Sequence, residues 1–285
     1  MVDKTVRSAL RRRVCGTADR SMSPIVAIVD GSNRSADAAR WASSVARTSR
    51  CDVHLLRIVP ETPDVTAERE AWILGGVQLE SSDWIIRNGL DVNPPTVVFG
   101  RSPEAVVHYA RAVDASLIVV CGIDNCGVEP SDRGGVLGNL SRQLNRPVVA
   151  VGHPVSARRL GDLVVGIDGT RESEVALRWS WEFARQVGTG LVGVGTDAQL
   201  LQSARSSIAA FGSTTPAEAT PPVRFVERLG GDADSLTREA QRIDASMVVA
   251  GTSQRRRLGR AHLGTVAKRL LRHSGITVAI VPTGH

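Results

Sequence analysis

A glycine that leaves an apolar strand, followed at a distance by a glycine that opens a helix with a hydroxyl residue behind it, is an arrangement that can hold a phosphate. The sequence carries it near its C-terminus. Met247-Val248-Val249-Ala250 reads as a strand and Gly251-Thr252-Ser253-Gln254 as the loop leaving it; after nine further residues, Gly264-Thr265-Val266 opens a helix. Gly251 would let backbone N–H groups close on an anion. The helix start supplies donors without intrahelical partners and the positive end of the helix dipole, and Thr265 adds a hydroxyl. Taken singly, each glycine reads equally well as a turn residue. Residues 254–273 also carry a net charge of +7, from Arg255, Arg256, Arg257, Arg260, Lys268, Arg269 and Arg272. The last three fit the solvated face of an amphipathic helix, and the first three lie beside the loop.

No nominee for catalysis accompanies this cradle. The sequence has no Gly-x-x-x-x-Gly-Lys-Ser/Thr loop, no Gly-x-Ser-x-Gly elbow and no His-Glu-x-x-His helix. Its six histidines are scattered, and His54 reads as a packed strand residue. Cys121 and Cys126 stand at zinc-site spacing without a second pair, so Cys15, Cys51, Cys121 and Cys126 read as reduced, structural thiols.

The elements that must position the cradle come in two copies. Asp30-Gly31-Ser32 through Arg40-Trp41-Ala42 recurs as Asp168-Gly169-Thr170 through Arg178-Trp179-Ser180, an offset of 138, and Asp114-Ala115-Ser116 recurs as Asp244-Ala245-Ser246 at an offset of 130. In each copy short apolar runs alternate with helical periods, which predicts parallel strands joined by crossover helices. The predicted strands are 25–29, 53–59, 96–99, 116–121 and 147–151, then 163–167, 191–195, 223–228, 246–250 and 277–281. The predicted helices are 34–49, 67–88, 102–113 and 135–144, then 171–187, 197–211, 232–242 and 264–273. The fold class is therefore α/β: two flavodoxin/Rossmann-like, doubly wound, five-stranded parallel sheets in tandem, each of strand order 3-2-1-4-5. Such sheets bind ligands beyond the carboxyl ends of their strands.

The copies differ where the cradle lies. The offset of 130 puts Cys121, Asp124, Gly134 and Gly135 opposite Gly251, Gln254, Gly264 and Thr265, and residues 124–143 carry a net charge of −1. A carboxylate at Asp124 would repel phosphate, so the first copy is the degenerate one.

With these motifs in place, the chain resembles the universal stress protein family, twice over, from Ser23 onward. Nucleotide-binding members of that family carry Gly, two residues, Gly, nine residues, then Gly-Ser/Thr. Gly251, Gly264 and Thr265 keep the spacing, while Gln254 stands in place of the second glycine. Val165-Gly166-Ile167-Asp168-Gly169-Thr170 is similar to the family's strand-one ending. The resemblance implies ATP, or AMP or ADP, bound with or without Mg. Asp168, next to Ile167, would lie at the ribose and adenine, Val194 would touch adenine, and Ala250, Gly251, Thr252, Gln254, Gly264, Thr265 and Val266 would surround the phosphates. From the residues alone, Asp168 reads equally well as a helix cap and Val194 as an ordinary strand residue. The resemblance also implies pairing of the two copies through their last strands, 147–151 and 277–281.

Composition sets the remaining bounds. The 285 residues, 42% hydrophobic but only 4% aromatic, suit two Val/Ala/Leu-rich α/β domains. The net charge of +6 misleads about nucleic acid, because residues 1–21 hold six Lys/Arg and two Asp and so account for +4 of it. The expected organisation is a disordered basic leader (1–21), a first domain (22–152), a linker (153–161) and a second, nucleotide-binding domain (162–285), with Met22 an alternative start. No stretch is long and apolar enough for a membrane span. A cytoplasmic adenine-nucleotide-binding module in stress or growth-control signalling is expected, with an unknown protein partner and a homodimer as further associations and nucleic acid disfavoured. A nucleotide-independent scaffold and a slow ATPase are the alternatives.

Overall fold

Val, Ile, Leu and Ala fill the strands so densely that both faces of the sheet must be covered, and the helices between them do this. The computed structural model describes residues 23–60, 66–100, 102–121, 133–152, 160–213, 216, 219–228, 232–252, 256–257, 260–261, 263–273 and 275–284. The basic segment 1–21, most of 153–161, Asp124 and Gln254 lie outside the described residues.

The first copy runs β1 (Ile25–Ile28), α1 (Asn33–Ser49), β2 (Val53–Val59), α2 (Ala67–Arg87), β3 (Thr96–Phe99), α3 (Ser102–Ala112), β4 (Leu117–Cys121), α4 (Arg133–Leu144) and β5 (Val148–Val151). The second runs β6 (Leu163–Ile167), α5 (Arg171–Val187), β7 (Leu191–Gly195), α6 (Ala198–Gly212), β8 (Val223–Glu227), α7 (Ala233–Arg242) and β9 (Met247–Thr252). It continues through β10 (Arg256–Arg257), β11 (Arg260–Ala261), α8 (Thr265–His273) and β12 (Val278–Pro282). Strand order is 3-2-1-4-5 in each copy. The copies join into one 10-stranded sheet, ordered β3-β2-β1-β4-β5-β12-β9-β6-β7-β8, in which β5 and β12 pair antiparallel through Val148↔Ile280, Val149↔Ala279 and Ala150↔Val278.

Alternate residues of each strand enter two cores, one per face. Ile25, Ala27, Leu117, Val149, Ala279, Val249 and Val165 pack beneath α1 and α5, with Trp41, Trp181 and Phe183. Val26, Ile118, Val148, Ile280, Val248 and Val164 pack beneath α3, α4, α7 and α8. Each core is continuous across both copies, so the copies share their interior. The repeated tryptophans meet at the centre, where Trp41 and Trp179 flank Phe183 at ring-centroid distances of 6.2 and 4.9 Å.

Local signals set the helix ends. Ser32 and Thr170 cap α1 and α5 by accepting from Ser35 N and Ser173 N at 3.2 Å, and α5 stops at Gly188, whose φ of 68° is left-handed. Two features depart from the sequence expectations. Strand β9 does not end at Ala250 but continues through Gly251 and Thr252, because these pair with Val281 and Pro282 of β12. The arginine-rich stretch that follows forms a short hairpin, Arg256↔Ala261 and Arg257↔Arg260, rather than an irregular loop.

Close backbone approach where the copies meet requires one glycine absolutely. A Cβ on Gly152 would lie 2.3 Å from Gly275 O and 2.6 Å from Ile276 C, both backbone atoms that cannot swing away. Gly152→Ala should therefore destabilise the protein by about 1–3 kcal/mol, the usual cost of overpacking. Urea denaturation of the two proteins measures it, and an unchanged midpoint would show that the join gives way at no cost.

Candidate functional site

In a sheet of order 3-2-1-4-5 the chain leaves strand one toward one side and strand three toward the other, so the crossovers diverge between strands one and four. In the second copy these are β6 and β9. The β6–β9 ladder stops at Val165↔Val249, whereas β6 stays paired to β7 through Ile167↔Gly195 and β9 to β12 through Thr252↔Pro282. Beyond that point β6 runs on through Ile167 and β9 through Thr252 without pairing to each other. Helices α5 and α8 follow these two strands in the chain.

Asp168 is exposed, but it does not cap α5 itself. Its Oδ1 accepts from Thr170 N at 3.0 Å and from the Thr170 hydroxyl at 2.6 Å, and Thr170 is the cap. Partial burial pushes the Asp168 carboxyl up. The hydrogen bonds from Thr170 and Ser173 outweigh it and hold the pKa below the ordinary 3.8. Asp30 does the same for Ser32, accepting from its N–H at 2.9 Å, and its pKa is likewise lowered. This carboxylate therefore serves the loop in both copies and does not distinguish them.

Gly251 has a reason that spacing could not reveal. A Cβ there would lie 2.1 Å from Glu172 O and 2.5 Å from Glu172 C, so the first turn of α5 rests on the bare strand. The first copy has Cys121 at the matching position, buried under α1. Ala250 and Thr252 are buried, and Thr252 O accepts from Thr283 N at 3.1 Å. Ile167 is buried at the end of β6.

Val194 lies within β7. It is 1% exposed, lies in the core beneath α7 and is paired on both sides, to Gly166 and to Val226. The first exposed residue past β7 is Thr196.

The start of α8 has the most open chemistry. Gly264 and Thr265 are exposed, and Val266 is half-buried. Gly264 O accepts from Lys268 N at 3.0 Å, so Gly264 occupies the cap position. The neighbouring helices have side-chain caps: Thr170 on α5, Asp197 on α6 and Asp232 on α7. Glycine has no side chain to take the first N–H groups of α8, and a Cβ on it would meet no described atom within 4 Å. Among the cations of this region, Arg269 is already paired with Asp234 of α7. Arg228 and Arg242 clamp the buried Glu239, whose carboxyl is held low by the hydrogen bond from Arg242, against its burial, and by that from Arg228.

Two contributors escaped sequence reasoning. Leu263, immediately before Gly264, is 3% exposed; a Cβ on Gly138 of α4 would lie 2.8 Å from its Cγ, and β11 also rests against α4. The α8 start is thus anchored on a helix of the other copy. The second is Arg57, which the offset of 138 places opposite Gly195. Its Nη1 lies 3.3 Å from the Cβ position of Gly31 and donates to Ser81 Oγ at 3.0 Å, and Nη2 pairs with Glu80 at 3.1 Å. A guanidinium therefore fills the strand-one turn of the first copy. A direct alignment of the two second strands would have exposed it.

The fold is that of a tandem, doubly wound α/β protein whose crossovers diverge between strands one and four of each copy. The sequence matches the model of the universal stress protein family over residues 22–152 and again over 161–282, and the chain belongs to that family. Solved structures share the fold. A universal stress protein from Archaeoglobus fulgidus DSM 4304 is 14% identical, covers 92% of this chain and 99% of its own, and superposes with a TM-score of 0.65. A functionally unknown protein from Pseudomonas aeruginosa PAO1 is 17% identical, with coverage of 92% and 93% and a TM-score of 0.57. A universal stress protein from Archaeoglobus fulgidus solved in complex with dAMP is 24% identical, covers 45% of this chain and 96% of its own, and has a TM-score of 0.33. Curated proteins yield no significant match. Among the described residues no helix is long and apolar enough to cross a membrane, and no cluster of His, Cys, Asp and Glu could hold a metal.

The lowered carboxyls fix a pH dependence. A depressed folded-state pKa contributes stability above the unfolded value of 3.8, and that contribution is lost as pH falls through the folded value. Thermal melts from pH 5 to pH 2 should show a decline that is shallower in the double variant Asp30→Asn, Asp168→Asn than in the wild type. Parallel curves would mean that neither carboxylate is linked to folding.

Proposed function

We propose that the second copy binds an adenine nucleotide and the first does not, and that the chain is a cytoplasmic binding module whose occupancy reports a stress or growth state to a partner protein. In this reading residues 22–152 are the degenerate domain and 162–285 the competent one, joined by 153–161 and preceded by the leader 1–21. The single observation that carries it is the glycine-capped start of α8, whose leading N–H groups have no side-chain acceptor at the cap, in contrast to the three other helices of the same copy. An anion completes such a helix end.

The N–H groups of Thr265 and Val266 and the Thr265 hydroxyl would meet the phosphates, with Gly264 leaving room for their approach. Asp168 would face the ribose, and the base would lie toward Ile167 and Thr196. ATP is the expected ligand, with AMP and ADP as alternatives. A Mg ion accompanying ATP would take its ligands chiefly from phosphate oxygens and water. In the first copy, Arg57 in the strand-one turn and Cys121 at the matching strand-four position alter the same region. A nucleotide-independent scaffold is favoured by one observation, that packing against Glu172 already accounts for Gly251.

Gly264→Asp separates the two readings. Aspartate is a favoured N-cap, so the fold should be kept, while its carboxylate repels phosphate at the helix start. ATP affinity should fall at least about tenfold by calorimetric titration, a loss of about 1.4 kcal/mol. Gly134→Asp, at the matching position of the first copy, should leave affinity unchanged. Mass spectrometry of small molecules extracted from the purified protein should find nucleotide at no more than one per chain. Absence of binding at millimolar ATP would establish the scaffold reading instead.

A further inference from the structure

An apolar residue just before a helix cap often packs on the fourth residue of its own helix, and this staple fixes the angle at which the chain enters. At α8 the cap is Gly264, so the two positions fall on Leu263 and Lys268. Lys268 offers no apolar tip. Leu263 turns instead to the first copy, where it is 3% exposed and shares a core with Leu137, Leu140 and Val148. Its seat is Gly138, whose added Cβ would lie 2.8 Å from Leu263 Cγ and 3.0 Å from Cδ2.

Helix geometry does not ask for glycine at 138. The residue lies in the middle of α4 with φ outside the left-handed region, and glycine is a poor residue for a helix interior. Room for Leu263 accounts for it.

Duplication shows that the contact runs one way. The antiparallel join pairs Val149 with Ala279, which the offset of 130 makes equivalent, so the copies are related by an approximate two-fold. Under that two-fold the contact of Leu263 with Gly138 repeats in reverse between Arg133 and Lys268. Two cations repel at such an approach, so the first copy anchors the second without return.

We propose that the first copy is a positioning domain for the second: Gly138 and Leu263 form a staple between copies that sets the entry of α8 and with it the direction of its leading N–H groups. Gly138 is thereby a positioning residue for a site it does not touch. The link to ligand rests on the nucleotide reading given above, whereas the staple does not. Coupling of this kind is reciprocal, so a ligand on α8 also favours the seated Leu263.

Lys268 N donates to Gly264 O across the first turn of α8, so exchange of the Lys268 amide, followed by NMR on the full ligand-free chain, reports how firmly that turn is held. Gly138→Ala keeps α4 a helix but drives Leu263 from its seat. It should speed exchange at Lys268 at least about fivefold, the lower end of ordinary coupling between sites, while the amides of β6 keep their rates. Leu263→Ala should do the same. ATP affinity by calorimetric titration should fall by a similar factor in each, and the double variant should be no weaker than the worse single one, because both changes break one contact. Unchanged exchange at Lys268, or equal acceleration throughout β6, would overturn the staple. Unchanged ATP affinity beside faster exchange, or losses that multiply in the double variant, would overturn its link to the site. A wild-type chain that binds no ATP yet shows the faster exchange in Gly138→Ala would sink the nucleotide reading and uphold the staple.

Discussion

The antiparallel pairing of β5 with β12 is the interaction on which the rest of the molecule depends. Both strands are buried along their whole length, and each would otherwise end a five-stranded sheet with an unpaired apolar edge. Pairing them satisfies both edges and aligns the two sheets, so the residues on either face run into common cores. The helices then follow. Helices α1 and α5 meet over the join through Trp41, Phe183 and Trp179, and α4 comes close enough to the second copy to receive Leu263. Full burial of one leucine is worth roughly 1.5–3 kcal/mol. Because Leu263 directly precedes Gly264, the candidate phosphate site of one copy is held in place by the other.

Duplication also shows which features serve folding and which are dispensable to it. The turn made by Asp30 and Ser32 recurs in Asp168 and Thr170 with the same hydrogen bonds, since both copies need an ordered start to the first helix. Elsewhere the backbone persists and the chemistry changes. Arg57 stands opposite Gly195 and Cys121 opposite Gly251. Tyr109, which hydrogen-bonds His54 and Thr96, stands opposite Glu239 with its two arginines. One scaffold carries different polar groups in its two copies.

Much of the fold was legible in the sequence, because periodicity and repetition are local properties of a chain. Apolar runs of four to seven residues, helical periods between them and the two offsets were enough for the class and nearly every element. One departure fell where a neighbour from a distant part of the chain decides: strand β9 outruns its apolar core because β12 lies beside it. The other is local, the arginine stretch closing on itself as a hairpin.

The site divides in the same way. Residue types and spacing by themselves determined that Gly264 and Thr265 open a helix at the carboxyl end of a strand, that Asp168 follows strand one, and that the first copy has Cys121 and Gly135 opposite Gly251 and Thr265. Tertiary structure alone decided that Gly251 is bare because Glu172 rests on it, that Val194 is buried between two strands while Thr196 reaches the surface, and that Leu263 is seated on Gly138 more than 100 residues away. The reason is physical. A helix start or a turn is written in the few residues that form it, whereas burial, close approach and access to a crevice are properties of surfaces that exist only after distant segments have packed.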